Sequence, residues 1–378
     1  VIRVLLLIPT LDQSGAEKQL TLLASGLPRD EFDVHVVALT RSGPYARELQ
    51  AAGVPVIVLG KRFKLDPMAL LRLRSLIRSL KPDIVHSWLF AANAYARLVA
   101  PSLANGPKIL VAERCVDSWK SGWQLWLDRK LIGRTDRLAA NAESVAEFYR
   151  NLGVPAERIV TIPNGVSGRS ISAEERARIR AERLQIPADA RVAGYVGRLA
   201  RQKRGNDLIW AIELLQSLRS DAWLVVAGDG PERESMEQFA RDINVHHRVR
   251  FLGHRPDALE LMAGFDVFWL ASEFEGQSNS LMEAMAAGLP VVASDIPANR
   301  ELVEHQKSGI LFPLGDRVAL AQVTHRLFDD HALAQQLGAA ARERMQQDFS
   351  IEKMIARYAS LYREIVNGRV DRATGASP

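Results

Sequence analysis

The sequence predicts an α/β protein made of two parallel-sheet domains that face each other across a cleft. Its 378 residues exceed what one ordinary hydrophobic core accommodates. Short apolar runs, several of them β-branched and apolar on both faces, alternate with helical stretches along the chain, as strands buried between helix layers do. A turn signal, Pro163-Asn164-Gly165, followed by the polar and charged stretch 170–183, divides these runs into two sets. The expected domains are residues 1–165 and 166–350, with a closing helix at 351–366 packing back on the first.

The first set of runs occupies residues 3–8, 33–39, 54–59, 83–86, 108–111, 137–140 and 158–162. The second occupies 191–196, 222–227, 249–252, 267–270, 290–293 and 309–312. Repeated strand–helix alternation implies a parallel sheet in each. The opening stretch from Val1 to Pro9 is too short to span a bilayer, lacks a signal peptide's cleavage site and reads as a buried first strand. The tail 367–378 is polar and small and is expected to fray.

Composition bounds the function. Apolar residues at 47% and charged residues at 25% fit a soluble globular chain, and no apolar run approaches the ~18–20 residues of a membrane span. The single cysteine, Cys115, excludes an internal disulfide and fits a reducing, cytoplasmic setting. Residues 1–168 carry 22 Lys+Arg against 15 Asp+Glu, whereas the remainder carries 27 against 29. That imbalance suits an anionic partner for the first half; a merely solvated basic surface explains it equally well. The basic residues are not interleaved with aromatics as stacking on nucleic acid would require.

Ligands of open α/β sheets bind at the carboxyl ends of strands, beside helix N-termini, so the turns after strands carry the argument. After the first strand, Ser14 and Glu17 have capping-box spacing and predict a helix start, while Gly15 admits a ligand close to the backbone. The further glycines of a dinucleotide fingerprint are missing, which counts against NAD. After strand 191–196 comes Gly197-Arg198-Leu199-Ala200-Arg201-Gln202-Lys203-Arg204-Gly205, four basic residues where a diphosphate needs fixed cations; the plain alternative is a solvated loop. After strand 267–270 comes Glu275-Gly276-Gln277-Ser278-Asn279-Ser280, leading into a short helix. Here Ser280 and Glu283 have capping-box spacing, and the helix start would face a phosphate. Glu275 reads either as an acceptor of hydrogen bonds from sugar hydroxyls or as an exposed loop acid.

In order and spacing these segments resemble the family 4 GT-B glycosyltransferases, which retain anomeric configuration. The resemblance runs from Ser14-Gly15-Ala16-Glu17 to the closing helix. Its most specific element is Glu275 and Glu283 followed by Ala-Met-Ala-Ala-Gly-Leu-Pro-Val-Val-Ala. Gly197-Arg198-Leu199 with Lys203, Ile162-Pro163-Asn164-Gly165-Val166 and Ala227-Gly228-Asp229-Gly230-Pro231 agree with it. The resemblance implies two Rossmann-like domains and a nucleotide-sugar donor, a UDP-sugar ahead of GDP-mannose. It implies that Arg198 and Lys203, beside Gly197, hold the diphosphate. Glu275 would bind the transferred sugar and Glu283 the ribose. Backbone N–H groups around Gly276 and from Gln277 to Asn279 would support sugar and phosphates. Gly15 would form the opposite wall, His86 would face the reacting centre and Arg255 would lie against the base. A lone histidine at a strand end is also an ordinary packed residue. Ser14, Trp88 and Gln277 depart from the residues many relatives carry, which leaves the donor sugar and acceptor open.

The cations and the helix start would stabilise the departing diphosphate without a divalent metal or other cofactor. The residues leave open a carboxylate nucleophile or same-face attack; the resemblance implies the second. A nucleotide-sugar epimerase of the same architecture and a non-catalytic sugar-nucleotide binder are the rival readings. Residues 61–81 add seven basic side chains against the single acid Asp66, interleaved with Met68, Leu71, Leu76 and Leu80. This segment is expected to pack its apolar side on the first sheet and turn its basic side to solvent or to an anionic membrane surface.

Overall fold

Each predicted run becomes a strand. The computed structural model describes residues 1–103, 106–168, 172–187 and 189–374. The chain divides into two units, Val1–Gly165 together with the segment from Ile351 onward, and Val166–Ser350.

The first unit holds β1 (Ile2–Thr10), β2 (Phe32–Arg41), β3 (Val56–Val58), β4 (Ile84–Trp88), β5 (Lys108–Glu113), β6 (Arg137–Ala140) and β7 (Ile159–Thr161). They pair in the order β3-β2-β1-β4-β5-β6-β7, all parallel. Val4 to Ile8 of the central β1 are wholly buried, as an apolar strand covered on both faces must be. Helices Pro67–Leu80 and Leu89–Val99 pack on one face. Helices Gly15–Gly26 and Ile351–Thr374 cover the other.

The second unit holds β8 (Arg191–Val196), β9 (Ala222–Ala227), β10 (Val249–Gly253), β11 (Val267–Leu270), β12 (Val291–Ser294) and β13 (Ile310–Phe312). Their order is β10-β9-β8-β11-β12-β13, again all parallel. In each sheet the chain winds outward one way and then the other. The reversal falls between β1 and β4 in the first unit and between β8 and β11 in the second. Loops leaving two such neighbouring strands diverge to opposite faces and open a crevice, the general ligand position of these sheets.

Three expectations need correction. In helix Pro67–Leu80 the buried positions are Ala69, Leu73 and Ile77, while Met68 and Leu71 are exposed. Asp66 sets this phase: its carboxylate accepts from Met68 N and Ala69 N, and Pro67 takes the first helical position. The closing helix does not fray at 367 but runs to Thr374; residues 375–378 lie outside the described residues. The polar stretch 170–183 is not only a linker. Helix Ala173–Arg178 runs into a wider turn, Ile179–Leu184, which buries Ile179 and Leu184 in the second unit's core; residues 169–171 lie outside the described residues.

The end of the first segment is held firmly. The Gln19 amide donates to Gly165 O and accepts from Gly165 N, both at 2.9 Å. A Cβ on Gly165 would meet Ile351 Cα at 2.7 Å, so only glycine lets the chain leave beside the strand-to-helix segment that returns.

Candidate functional site

The second unit brings most of the expected residues to its β8/β11 crevice. The turn after β8 is tight because Gly228 lies on it. A Cβ at Gly228 would fall 1.8 Å from the Gly197 carbonyl oxygen, and Gly197 N donates to Ala227 O at 3.0 Å. Tyr195, fully buried in β8, donates its hydroxyl to Arg198 O at 3.0 Å. Burial, with Glu275 nearby, pushes that phenol upward, so it stays a donor. The turn then closes through Lys203 N to Ala200 O at 2.8 Å, and Arg204 enters helix Gly205–Leu218 in a left-handed conformation. The Arg204 guanidinium pairs with Asp207 at 2.5 Å and so belongs to the helix start. Arg198 is exposed.

The loop after β11 is bonded into place from behind. Ser294 Oγ donates to Ser272 O at 2.6 Å, and Asn299 Nδ2 donates to Ser294 O at 2.9 Å. Glu273 N donates to Gln202 O at 2.8 Å, which ties the two turns together. On this frame Lys203 Nζ and Glu275 Oε1 form an ion pair. Glu275 is not an exposed loop acid: it, Gly276, Gln277 and Ser278 are all buried. A charge is stable there only with a partner, and Lys203 supplies it.

Helix Asn279–Ala286 follows, and its start differs from the spacing argument. Ser278 is the cap, accepting from Leu281 N. Ser280 is therefore already helical and Glu283 lies in the second turn, half-buried, so no Ser280–Glu283 capping box forms. Two serines two residues apart both satisfy the cap's chemistry; the buried loop selects the earlier. The first-turn N–H groups of the helix, including Asn279 and Ser280, carry its positive dipole end. Arg255, after β10, closes on Asp257 in a two-point pair of 2.7 and 2.5 Å, and Arg183 joins the same carboxylate. These bonds hold Asp257 well below the usual carboxylate range and fix the Arg255 guanidinium in place.

In the first unit, Ser14 caps helix Gly15–Gly26, with Gly15 at its first position. The Ser14 hydroxyl donates to the Glu17 carboxylate instead of accepting from its N–H. His86, in β4, is wholly buried. Its Nδ1 lies 2.7 Å from the Tyr362 hydroxyl, and its ring sits 5.1 Å from Trp88 and 5.3 Å from Tyr358. Burial, reinforced by Arg114, holds its pKa well below the ordinary value. The ring is a neutral member of an aromatic core, which corrects the expectation that it faces the reacting centre.

Sequence reasoning missed two groups in this unit. One is a sealed charge network around Lys120 at the end of β5. The other is Trp119, Trp123 and Trp126: the last two stand three residues apart on helix Gly122–Leu131, a readable signal for one helix side, and Trp119 lies in the turn before it. A cavity of about 750 Å³ lined by Lys108, Arg134, Asp136, Arg137, Arg158 and Glu364 lies at the opposite, amino edge of this sheet, where Lys108–Asp136 and Arg137–Glu364 form ion pairs and Arg134 and Arg158 donate to the carbonyls of Arg97 and Thr135.

Two all-parallel sheets, each with a switch point, define a doubly wound α/β protein, and comparison with known proteins makes the class specific. The family described as Glycosyl transferases group 1 matches residues 177–344, and Glycosyltransferase Family 4 matches residues 13–167. The chain belongs to the family 4 glycosyltransferases of GT-B fold. It is therefore an enzyme of glycosyl transfer, which sets aside the epimerase and the non-catalytic binder. It is 28% identical to the Escherichia coli UDP-Gal:alpha-D-GlcNAc-diphosphoundecaprenol alpha-1,3-galactosyltransferase, over 90% of this chain and 91% of that one. It is 27% identical to the Bacillus anthracis N-acetyl-alpha-D-glucosaminyl L-malate synthase, where the match spans 63% of each chain. The structure of Anabaena Alr3699/HepE in complex with UDP-glucose shares the fold at a TM-score of 0.87 and 22% identity, covering 96% of this chain and 100% of that one.

Proposed function

We propose that this glycosyltransferase moves a sugar from a nucleoside-diphosphate sugar, a UDP-sugar ahead of GDP-mannose, to a glycan, lipid-linked or small-molecule acceptor with retention of configuration. The observation that carries this is the Lys203–Glu275 pair, held at the β8/β11 crevice beside the N-terminus of helix Asn279–Ala286. UDP-glucose in Anabaena Alr3699/HepE and UDP-Gal in the name of the Escherichia coli relative support the choice of base.

Cleaving the anomeric C–O bond sends its electron pair to the diphosphate, where charge develops. Lys203, Arg198 and the helix dipole are the groups that stabilise it, and being fixed beforehand they need no reorganisation. The Glu275 carboxylate that pairs with Lys203 also accepts hydrogen bonds from the sugar hydroxyls. Glu283 takes the ribose hydroxyls in this reading. The acceptor oxygen attacks from the face the diphosphate leaves, and a donor phosphate oxygen receives the acceptor proton. No divalent metal is required, since the cations perform its role.

The acceptor side rests on residues 61–81, whose exposed basic side chains suit an anionic membrane surface, and the Escherichia coli relative's name specifies a diphosphoundecaprenol-linked acceptor. A panel of UDP- and GDP-sugars read by thermal shift identifies the donor, since a bound donor raises the melting temperature by mass action. The product's anomeric configuration is then read by NMR, with and without EDTA. An inverted product overturns retention. Inhibition by EDTA that magnesium or manganese reverses overturns metal independence.

A further inference from the structure

The first unit carries a second unusual surface, outside the crevice groups discussed so far. Trp119, Trp123 and Trp126 are each 56–59% exposed. Tryptophans are normally core or interface residues, and two on one side of helix Gly122–Leu131 with a third in the turn that leads into it, all turned to water, are hard to reconcile with a surface that meets only solvent. The charges around them are sorted. Helix Gly122–Leu131 and its lead-in contain two acids, Asp117 and Asp128, and both are buried against Lys120. The charged side chains left outside are Arg129, Lys130 and Arg134.

The segment 61–81 is built the same way. Its one acid, Asp66, is buried as a helix cap, and Phe63, Leu65, Met68 and Leu71 are exposed among Arg62, Lys64, Arg72 and Arg78. The two segments follow β3 and β5, which run parallel, so both begin at the same edge of one sheet. Helix Leu89–Val99 and its start link them: Phe90 packs edge-on to Trp123 at 5.7 Å, and Lys61 lies over the Tyr95 ring at 5.7 Å. Indole rings with cationic neighbours match the polar–apolar boundary of an anionic bilayer, whereas exposed Leu and Met side chains gain nothing from a soluble glycan. No helix among the described residues is long and apolar enough to cross a membrane.

We propose that Trp119, Trp123 and Trp126 anchor this edge of the first unit in the interface of an anionic bilayer. The proposal deepens the membrane reading of residues 61–81 and rests on it. It adds an apolar component that salt does not screen, where the basic segment alone gives attachment that salt removes.

Co-sedimentation with phosphatidylglycerol-rich vesicles at low and high salt, with brominated lipids as quenchers of tryptophan fluorescence, tests both. The expected result is binding at low salt, a residual fraction at high salt, and quenching by the brominated lipid. Replacing the three tryptophans by serine should weaken high-salt partitioning by about tenfold or more. Arg62→Glu with Lys64→Glu and Arg78→Glu should remove mainly the salt-sensitive part. If the triple variant lacks a native circular-dichroism spectrum, Trp119→Ser with Trp126→Gln takes its place. Binding at low salt that high salt abolishes, without quenching, overturns the tryptophan anchor and leaves the basic-segment reading standing. No binding at low salt overturns both. Fluorescence that responds to a soluble glycan acceptor and not to vesicles also overturns the anchor.

Discussion

Lys120 and Lys203 each close on carboxylates just past the carboxyl end of a parallel strand, yet one is sealed and the other is ready. The Lys120 side chain is 1% exposed, and its ammonium meets Asp117 at 2.8 Å, Asp128 at 2.9 Å and the Tyr149 hydroxyl at 2.8 Å. Three donors and three acceptors leave nothing over. Tyr149 in turn donates to Asp117 at 2.6 Å, Arg97 reaches Asp128 at 2.6 Å, and Asn93 reaches Glu113 at 2.9 Å. Burial alone would lower the Lys120 pKa, but the surrounding carboxylates outweigh it and hold the pKa above the ordinary value. Lys203, 17% exposed, pairs with Glu275 alone among the described residues, which in the proposed mechanism leaves its remaining protons for a phosphate. The Lys120 ammonium is fully occupied within the fold, and the half-buried Lys203 is the one the proposed mechanism uses.

The contrast breaks most sharply at Lys120. Lys120→Met leaves several buried carboxylates without their cation and should cost about 3–5 kcal/mol of stability, read by urea unfolding. The turnover of whatever protein remains folded should be unchanged. A folded variant with wild-type stability and impaired transfer would move Lys120 from architecture to chemistry.

Glu275→Gln and Lys203→Met should do the reverse. Each should lower kcat/KM for the donor by about 1.5–3 kcal/mol in transition-state terms, with a smaller change in unfolding midpoint. The double variant should lose less than the sum of the two, because the partners act as a unit. Full additivity would mean that the pair is incidental.

The finest test concerns Glu113, which burial raises to about 7, with Lys120 opposing and Asp117 and Asp128 assisting. Between its unfolded pKa near 4.5 and its folded value, the native state holds a proton that the unfolded state releases. Stability from this group is therefore fully present at low pH and falls as pH rises through that window. Relative to Glu113→Gln, the wild type should lose about 1–3 kcal/mol between pH 5 and pH 8. Taking the difference matters because His86, depressed by burial, pulls the other way. A pH-independent difference would place the network's titration elsewhere.

How far the sequence was legible follows the range of the forces involved. The strands were readable because a strand buried on both faces needs a run of apolar residues, and no distant residue can hide that. The glycines and basic residues after β8 were readable for a similar local reason. Helix phase was harder. Met68 and Leu71 have helical spacing, but so do Ala69, Leu73 and Ile77, and the cap at Asp66 with Pro67 decides which set turns inward. The cap at Ser278 rather than Ser280 likewise depends on a loop being buried. His86 and Glu275 both depended on partners far along the chain, Tyr362 in one case and Lys203 in the other. The three tryptophans were plain in the sequence, but apolar spacing alone does not distinguish a face turned to the core from one turned outward.

The return of the chain to the first unit has a consequence for biosynthesis. Met354, Tyr358 and Tyr362 are buried in the core that β1 and helix Gly15–Gly26 begin, so that core lacks a wall until the closing helix has been made. The second unit, one unbroken segment from Val166 to Ser350, has no such debt. At about 5–20 residues per second, the first 165 residues wait on the order of 10–40 s for their missing helix. The part synthesised second is thus the part able to finish folding first. During that interval the nascent first unit exposes the sheet face that Tyr358 and Tyr362 later cover.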